Sequence, residues 1–370
     1  MIVIFGGAFN PVHNEHINMI KYLLTRKEVE KVVVLPSNNP PHKECPTSFE
    51  ERKNMLSIAL EGIERVEICD FESKNEDKHY TCETLPKLKE IYKDIAFVIG
   101  GDSLEAFDRW KNPQDIIKIC PLYVFTRGNS QNFNKALKLW RDKGANIVVC
   151  DYNPHNISST LIRYNIMLGN FDNIDTKVAD YIKDNNLYNK YFELLQKLKS
   201  NLSERTYAHS LRTAKFALNL NYYQDLGLDY DKVFLAGVLH DCAKTICMSE
   251  HDSQGVPEDS INTPVEHQFL GAILAKRDYD IQDEEILEAI KYHTTGKREM
   301  SKLQKLIFCS DMLEENRAFE GVEGLRRSIF LSLDKGYKDC VIHQYDYLKS
   351  LGGDIYPLTI EAYEGVLQDN

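Results

Sequence analysis

The second half of the chain carries histidine and aspartate side chains of the kind that bind metal ions. The set comprises His209, His240, Asp241, His267, His293 and Asp311. Apart from the adjacent His240 and Asp241, its members are far enough apart to occupy separate helices or helix ends. A charged aspartate at the end of a buried helix needs a partner, and bundles build metal sites from side chains on facing helices. The pattern predicts a metal centre, and imidazole with carboxylate ligands suits iron or manganese.

A second set of residues lies at the start of the chain, where an apolar strand runs into a glycine turn. Residues 6 to 16 read GGAFNPVHNEH, and a helical pattern follows. Glycines after a first strand let the backbone approach a phosphate, and the next helix offers free N–H groups to an anion. His13 and His16, three residues apart, share one helix face. We expect both imidazoles to contact a phosphate under attack and to stabilise its developing charge.

The elements that position these two sets differ between the two halves of the chain. Strand-like runs occur at residues 2–5, 31–36, 66–69, 95–99, 122–125 and 147–149, with helical stretches between several of them. This alternation predicts an α/β fold with a Rossmann-like parallel sheet covered by helices. From about Thr176 onward the pattern is helical, which predicts an all-α bundle. We place the domains at residues 1–190 and 191–370.

Composition limits the class of protein. The 370 residues exceed what one hydrophobic core usually holds, and the net charge of -11 argues against nucleic-acid or anionic-membrane binding. We see no leader peptide and no run near the ~18 apolar residues that a spanning helix needs. Nine cysteines without a CxxC pair favour a reducing compartment, so we expect a cytoplasmic protein.

The second set, at the start of the chain, resembles the signature of the nucleotidylyltransferase superfamily, GGxFxPxHxxH. Residues 157 to 163, ISSTLIR, look like the second motif of that superfamily, in which hydroxyls, helix N-terminal amides and an arginine hold the phosphates of ATP. The resemblance implies a nucleotide site formed by Gly6, Gly7, Ala8, Phe9, Asp102, Ser158, Ser159, Thr160 and Arg163.

Further residues narrow the resemblance to bacterial nicotinate mononucleotide adenylyltransferases. They are the PPHK loop at residues 40–43, an arginine in an RxxM pattern, a YTxxTL segment, and a GDS triplet followed by a tryptophan. The implied substrate contacts are Arg52, Tyr80, Thr81, Thr84, Ser103, Trp110 and Arg127. The implied reaction is direct attack of the mononucleotide phosphate on the α-phosphate of ATP, with Mg²⁺ on the nucleotide. The implied transition-state contacts are His13, His16, Lys43 and Arg163.

Two positions depart from this family, and the pair Gly100 and Gly101, where the family more often has Gly-Ala, is a conservative departure. Glu15 stands where the family usually has glycine, immediately before the second histidine. Its negative side chain either points away from the phosphate path or weakens ATP binding.

The metal-ligand set resembles the HD phosphohydrolase superfamily, whose H...HD...H...H...D order is matched in full. The two additional histidines are similar to its binuclear subgroup, which implies two metal ions bridged by Asp241. The surrounding segments RTYAHSLRTA, LHDCAK, YHTTG and SDMLEENRAFEGVEGLR resemble small HD-type symmetrical diadenosine tetraphosphate hydrolases, which form two ADP. Lys244, Arg212 and Arg317 are then expected to bind phosphate, with Asp241 and Lys244 as catalytic residues.

These resemblances leave alternatives open. The first reading is a bifunctional enzyme that uses ATP, nicotinate mononucleotide and diadenosine tetraphosphate. The second keeps the hydrolase and makes the N-terminal half an ATP sensor impaired by Glu15. The third keeps both activities on other substrates: nicotinamide mononucleotide or phosphopantetheine for the first half, and an alarmone or a deoxynucleotide for the second. The segment with Trp110 disfavours phosphopantetheine, and Cys242 to Lys244 disfavour an alarmone.

Overall fold

The chain forms two compact units, Met1–Asn189 (unit 1) and Lys190–Asn370 (unit 2). The computed structural model describes residues 1–38, 45–74, 79–126, 130–245 and 255–368. The predicted fold class is confirmed, since a parallel sheet with helices precedes a helical unit. The assignment of one activity to each unit stays a prediction at this stage.

Unit 1 is built on a six-stranded parallel sheet. Its strands are β1 (Ile2–Gly7), β2 (Lys31–Pro36), β3 (Val66–Ile68), β4 (Ile95–Gly100), β5 (Leu122–Phe125) and β6 (Ile147–Val149). The strand order is β3-β2-β1-β4-β5-β6, and every adjacent pair is parallel. The order reverses between β1 and β4, and such a reversal creates a ligand-binding crevice at the carboxyl ends of the strands. The glycine turn after β1 and the GDS segment after β4 both lie at this edge.

Helices cover both faces of the sheet. They are α1 (Asn14–Thr25), α2 (Phe49–Ala59), α3 (Thr81–Tyr92), α4 (Gly101–Glu105), α5 (Pro113–Ile119), α6 (Gln131–Asp142), α7 (Ser159–Met167) and α8 (Thr176–Asp184), with 3₁₀ turns at Phe71–Lys74 and Phe107–Arg109. The side chains of β1 alternate between the two cores, because Val3 and Phe5 face one and Ile2 and Ile4 face the other. Although the helical pattern begins near Thr176, α8 belongs to unit 1, where Val178 and Ile182 enter the core.

Unit 2 is helical throughout its described residues. Its helices are α9 (Phe192–Asn201), α10 (Glu204–Tyr223), α11 (Tyr230–Leu239), α12 (Glu266–Asp278), α13 (Glu284–Lys291), α14 (Lys302–Leu313), α15 (Val322–Leu331), α16 (Leu333–Ser350) and α17 (Pro357–Gln368), with a 3₁₀ turn at Glu258–Ser260. None of the helices described in either unit is long and apolar enough to cross a membrane.

A close helix contact in unit 2 lies beside the predicted metal ligands. Gly237 on α11 packs so tightly against α10 that a Cβ atom added there would lie 2.7 Å from the Cα of Ala214. His209 lies on α10, and His240 and Asp241 directly follow α11. This glycine therefore permits the approach that brings the first ligand candidates together.

Candidate active sites in the two units

Five side chains converge around one buried aspartate, Asp241, in unit 2. The two carboxylate oxygens of Asp241, which is 1% exposed, face different histidines. Its Oδ2 atom lies 3.8 Å from Nε2 of His209 and 3.6 Å from Nε2 of His240. Its Oδ1 atom lies 3.3 Å from Nε2 of His267 and 3.4 Å from Nε2 of His293. One carboxylate thus lies between two pairs of imidazoles.

Asp311 on α14 completes the first of these pairs. Its Oδ1 atom lies 2.8 Å from Nε2 of His209 and 3.8 Å from Nε2 of His240. The candidate ligand atoms form three overlapping groups, each within 4.8 Å: His209, His240 and Asp241; His240, His293 and Asp311; and Asp241, His267 and His293. The structure therefore brings together all six ligand candidates of the sequence.

Hydrogen bonds on the far side of each ring fix the orientation of the four histidines. The Nδ1 atoms of His240, His267 and His293 lie 2.8, 2.9 and 2.7 Å from the carbonyl oxygens of Gly237, Pro264 and Ile290. The Nδ1 atom of His209 lies 3.2 Å from Oε1 of Glu314. Each Nδ1–H therefore donates to an oxygen, the arrangement that holds metal-ligating histidines in one tautomer with Nε2 turned inward.

The protonation states favour a cation in this cluster. Complete burial lowers the pKa of His240 to about 4, and burial also lowers the pKa of His267, so both rings are neutral near pH 7. Their Nε2 lone pairs lie 3.3 Å from Nε2 of His209 and 3.2 Å from Nε2 of His293, beside the aspartate. Burial lowers the pKa of His209, but hydrogen bonds with Asp311 and Glu314 outweigh that effect and raise it. Neutral imidazoles whose Nε2 atoms face a buried carboxylate form a donor set that a cation stabilises. The donor set therefore fits metal ions.

Glu314 supports this cluster from outside. Burial opposes its ionisation, but hydrogen bonds with His209 and Arg212 outweigh that effect and lower its pKa to about 2. Nε of Arg212 donates to Oε2 of Glu314 at 2.8 Å. The guanidinium of Arg212, predicted to bind phosphate, is thus directed at Glu314.

The other two predicted phosphate ligands lie at the open side of the cluster. The side chains of Lys244 and Arg317 are 43% and 39% exposed. Lys244 Nζ contacts Asp241, and Nη2 of Arg317 donates to Oδ1 of Asp311 at 2.5 Å. Each cation pairs with a carboxylate of the cluster and is itself partly exposed to solvent.

A set of polar contacts around His293 was not predicted from the sequence. Oε1 of Gln268, which is fully buried, accepts hydrogen bonds from the backbone N–H groups of Thr294 and Thr295, each at 3.1 Å. Oγ1 of Thr294 lies 3.1 Å from Nε2 of His267 and 2.9 Å from Nε2 of His293. The only available signal was adjacency, since Gln268 follows one ligand candidate and Thr294 follows another.

In unit 1 the two histidines of the first motif are stacked at the carboxyl edge of the sheet. The rings of His13 and His16 lie 3.6 Å apart, and Nδ1 of His16 accepts a hydrogen bond from the backbone N–H of His13 at 3.2 Å. The ring of Phe9 contacts His16 edge-on, with centroids 5.0 Å apart. A Cβ atom on Gly7 would lie 3.1 Å from the Phe9 ring, so this glycine lets the turn close.

The second motif lies directly against the first. Oγ of Ser159 donates to the carbonyl oxygen of Pro11 at 3.3 Å, and Nη1 of Arg163 donates to that of Asn10 at 2.8 Å. Nη2 of Arg163 also contacts Oγ1 of Thr160. Ser158 precedes the first residue of α7. The predicted ATP-phosphate contacts from both ends of unit 1 therefore share one place at the carboxyl edge of the sheet.

The structure places the predicted substrate contacts in different surroundings. Arg52 is buried, and its guanidinium donates to the carbonyl oxygens of Ala8 and Ser37, each at 2.7 Å, so it holds backbone instead of facing an open site. Oγ1 of Thr84 lies 3.4 Å from Oε1 of the buried Glu72. The remaining candidates lie at the start of α3 (Tyr80, Thr81), on α4 (Asp102, Ser103) and after the second 3₁₀ turn (Trp110). Lys43 and Arg127 lie outside the described residues.

Comparisons with known proteins agree with this architecture. Residues 4–165 match the cytidylyltransferase-like family, and residues 206–316 match the HD domain family. A Mycoplasma genitalium protein described as "probable nicotinate-nucleotide adenylyltransferase/Ap4A hydrolase" is 28% identical over 87% of this chain and 90% of its own length. A Clostridium acetobutylicum protein described as "probable nicotinate-nucleotide adenylyltransferase" is 36% identical over 50% of this chain and 97% of its own length.

A solved structure is similar to part of the chain. It is described as a predicted HD superfamily hydrolase involved in NAD metabolism from Clostridium acetobutylicum, is 32% identical, and has a TM-score of 0.45 over 49% of this chain and 98% of its own. The sequence relatives and the family matches decide the classification. The chain belongs to the nicotinate-nucleotide adenylyltransferase family, and an HD domain follows the adenylyltransferase unit along the chain.

Proposed function

We propose that the chain is a bifunctional cytoplasmic enzyme. Unit 1 transfers the adenylyl group of ATP to nicotinate mononucleotide, and unit 2 hydrolyses diadenosine tetraphosphate to two ADP. The observation that carries the second activity is the position of Asp241, whose two carboxylate oxygens face two separate pairs of histidines. The relative from Mycoplasma genitalium, whose description names both activities, supports the pairing.

Two metal ions, iron or manganese, fit the site of unit 2. One would be held by His209, His240, Asp241 and Asp311, and the other by Asp241, His267 and His293. When bound, such a pair supplies a strong nucleophile at neutral pH and Lewis acidity towards a phosphate. Lys244 and Arg317 bind the phosphate chain, because both are cationic and partly exposed beside the cluster. Water attacks one of the two inner phosphorus atoms, the central P–O–P bridge breaks, and two ADP leave.

The hydrolase is tested on the full chain, purified without oxygen so that native metals are retained. Diadenosine tetraphosphate is added, and the products are separated by chromatography. We expect ADP as the sole product and its loss in His240→Ala and Asp241→Ala. Formation of AMP with ATP, or no turnover with iron, manganese or cobalt, would contradict the proposal.

Metal content gives a second test that needs no substrate. His267→Ala should keep about half of the metal of the native protein, because His267 contacts only the Oδ1 side of Asp241. Asp241→Ala should lose most of both ions, because both proposed ligand groups include this carboxylate. Equal metal content in the two variants, measured by mass spectrometry, would contradict a bridged pair.

The transferase of unit 1 needs no protein nucleophile. A phosphate oxygen of nicotinate mononucleotide attacks the α-phosphorus of ATP, the bond from that phosphorus to the bridging oxygen breaks, and pyrophosphate leaves, with Mg²⁺ accompanying the nucleotide. His13, His16 and Arg163 stabilise the charge that develops, together with Lys43. The side chains of Ser103 and Trp110 border the mononucleotide, and Asp102 belongs to the ATP site. The contact between the first and second motifs supports this reading.

Pyrophosphate release separates the transferase from an ATP sensor. We expect turnover with nicotinate mononucleotide, slower turnover with the nicotinamide form, and a loss of at least about a hundredfold in His16→Ala. A sensor would bind ATP and release no pyrophosphate with either mononucleotide. The side chain of Glu15, which is buried against Tyr152 and His155, supports the transferase, because its charge is directed at these two residues.

A further inference from the structure

The carboxylate of Glu15 is held by two partners from a distant part of unit 1. Glu15 is 3% exposed, although it lies in the first turn of α1. Its Oε1 atom accepts a hydrogen bond from the phenol of Tyr152 at 2.7 Å, and its Oε2 atom lies 3.0 Å from Nδ1 of His155. Burial and the hydrogen bond to Glu15 raise the pKa of Tyr152 to about 12, so the phenol keeps the proton that it donates.

Both partners lie on the segment that leads into the second motif. Residues 150–158 connect β6 to α7, and Ser158 to Arg163 follow directly. Tyr152 is anchored in the unit, because its ring packs against Tyr22 and Phe125 with centroids 5.3 and 5.8 Å apart. His155 has a side chain that is 76% exposed. The carboxylate therefore links an anchored residue to an exposed one, just before the start of α7.

Because Glu15 is buried, its carboxylate depends on these partners. A buried carboxylate is strongly disfavoured unless charged or polar partners replace its water. The two partners of the Glu15 carboxylate, Tyr152 and His155, both come from residues 150–158, so the carboxylate and the segment stabilise each other. Further along the chain, Ser159 and Arg163 make their own contacts with Pro11 and Asn10.

We propose that Glu15 is a positioning residue that fixes residues 150–158 so that the second motif is already arranged when ATP binds. The proposal rests on the adenylyltransferase function of unit 1. Without the carboxylate, ATP must order this segment as it binds, and that ordering weakens binding. Once ATP is bound the same phosphate contacts exist, so the rate of the chemical step changes little. A glycine at this position, as in the resembling family, cannot make this link.

The test compares three variants of the full chain in pyrophosphate-release kinetics. Glu15→Ala should raise KM for ATP about five- to tenfold and change kcat less than about twofold. Glu15→Gln should stay near the native value, because its amide oxygen can accept from Tyr152 and its NH2 group can donate to Nδ1 of His155. Glu28→Ala is the matched control, because Glu28 lies beyond the other end of α1 and contacts Tyr123 at 3.2 Å, away from the second motif. Partial misfolding would instead lower kcat at an unchanged KM.

A double-variant cycle identifies the partner. Tyr152→Phe should raise KM for ATP, and Glu15→Ala with Tyr152→Phe should raise it no further than Glu15→Ala does alone. Strictly additive effects, or an unchanged KM in Glu15→Ala, would overturn the proposal.

Calorimetric titration with ATP distinguishes a failure of the proposed transferase from a failure of the positioning role of Glu15. If the native chain releases no pyrophosphate, the proposed transferase fails, but the Kd for ATP still tests the positioning role. A Kd for ATP that is equal in the native chain and Glu15→Ala would overturn it.

Discussion

The ammonium group of Lys244 lies 3.2 Å from Oδ1 and 3.1 Å from Oδ2 of Asp241, so one cation faces both oxygens of the aspartate that the four histidines surround. The lysine follows the aspartate by three residues, and its side chain is partly exposed. The same group can therefore hold the carboxylate in place and meet a phosphate that arrives from solvent. A hydrogen bond between charged groups contributes about 1.5–3 kcal/mol, and about 1.4 kcal/mol corresponds to a factor of ten in rate.

Lys244→Met should lower kcat/KM for diadenosine tetraphosphate about ten- to a hundredfold while metal content stays near that of the native chain. Lys276→Met is the control, since Lys276 lies on α12 and pairs with Glu284 at the surface. Measuring kcat/KM and metal content on the same preparation shows whether activity falls without loss of metal. If Lys244→Met loses metal in proportion to activity, the lysine acts on the carboxylate alone and the phosphate contact is wrong.

Gln268→Leu should weaken metal binding through His293. The buried amide of Gln268 holds the N–H groups of Thr294 and Thr295, and the leucine would leave both without this acceptor. Removal of such outer contacts typically lowers metal affinity 10- to 100-fold. Titration of the metal-free protein with manganese measures this effect. Gln304→Leu is the matched control, because Gln304 is also buried but caps α14 through Ser301. Equal manganese affinity in both variants would mean that Gln268 only supports the fold.

The sequence predicted the elements well where a periodic pattern existed. Alternating apolar strands and helices identified the parallel sheet, because a sheet buried on both faces needs continuous apolar runs such as KVVVLP and IAFVI. Metal-ligand candidates were visible as residue types, since a bundle draws them from separate helices. Their convergence on Asp241 required the crossing of α10 and α11, which depends on the contact between Gly237 and Ala214.

Other parts of the sites could not be predicted from the sequence, because they depend on side-chain direction. Arg52 matched a substrate-binding pattern, yet its guanidinium donates to backbone carbonyls. Every residue has such a carbonyl, so no sequence pattern reveals these acceptors. Arg212 is held by Glu314, 102 residues away. The sequence left two directions open for Glu15, and only its distant partners Tyr152 and His155 show which is taken.

Glu72→Gln should stabilise unit 1, and the gain should grow with pH. Burial raises the pKa of Glu72 in the folded chain above its unfolded value of 4.5. Between these two values the folded state binds more protons than the unfolded state, so native stability falls as the pH rises through that window. Glutamine removes this loss. The difference between variant and native chain should therefore be smallest below about pH 4.5 and constant above the folded pKa.

Tryptophan fluorescence during urea unfolding measures this difference selectively. The chain has two tryptophans, Trp110 and Trp140, and both lie in unit 1. Glu64→Gln, at an exposed position, is the control for the loss of one negative charge. A pH-independent difference for Glu72→Gln would show that the carboxyl does not titrate differently in the folded state.

Gly237→Ala should separate α10 from α11 and disrupt the metal site without changing any ligand. The added Cβ atom would lie 2.7 Å from Cα and 2.9 Å from Cβ of Ala214, too close for the helices to keep their positions. Overpacking of this kind typically costs about 1–3 kcal/mol. Because His209 lies on α10 and His240 follows α11, their 3.3 Å approach should be lost as well. We expect a lower melting temperature by circular dichroism and weaker manganese binding.

Gly324→Ala is the control, because the nearest atom to its added Cβ lies 4.0 Å away, and it should keep both properties. If Gly237→Ala binds manganese as tightly as the native chain, the crossing of α10 and α11 does not set the position of the ligands.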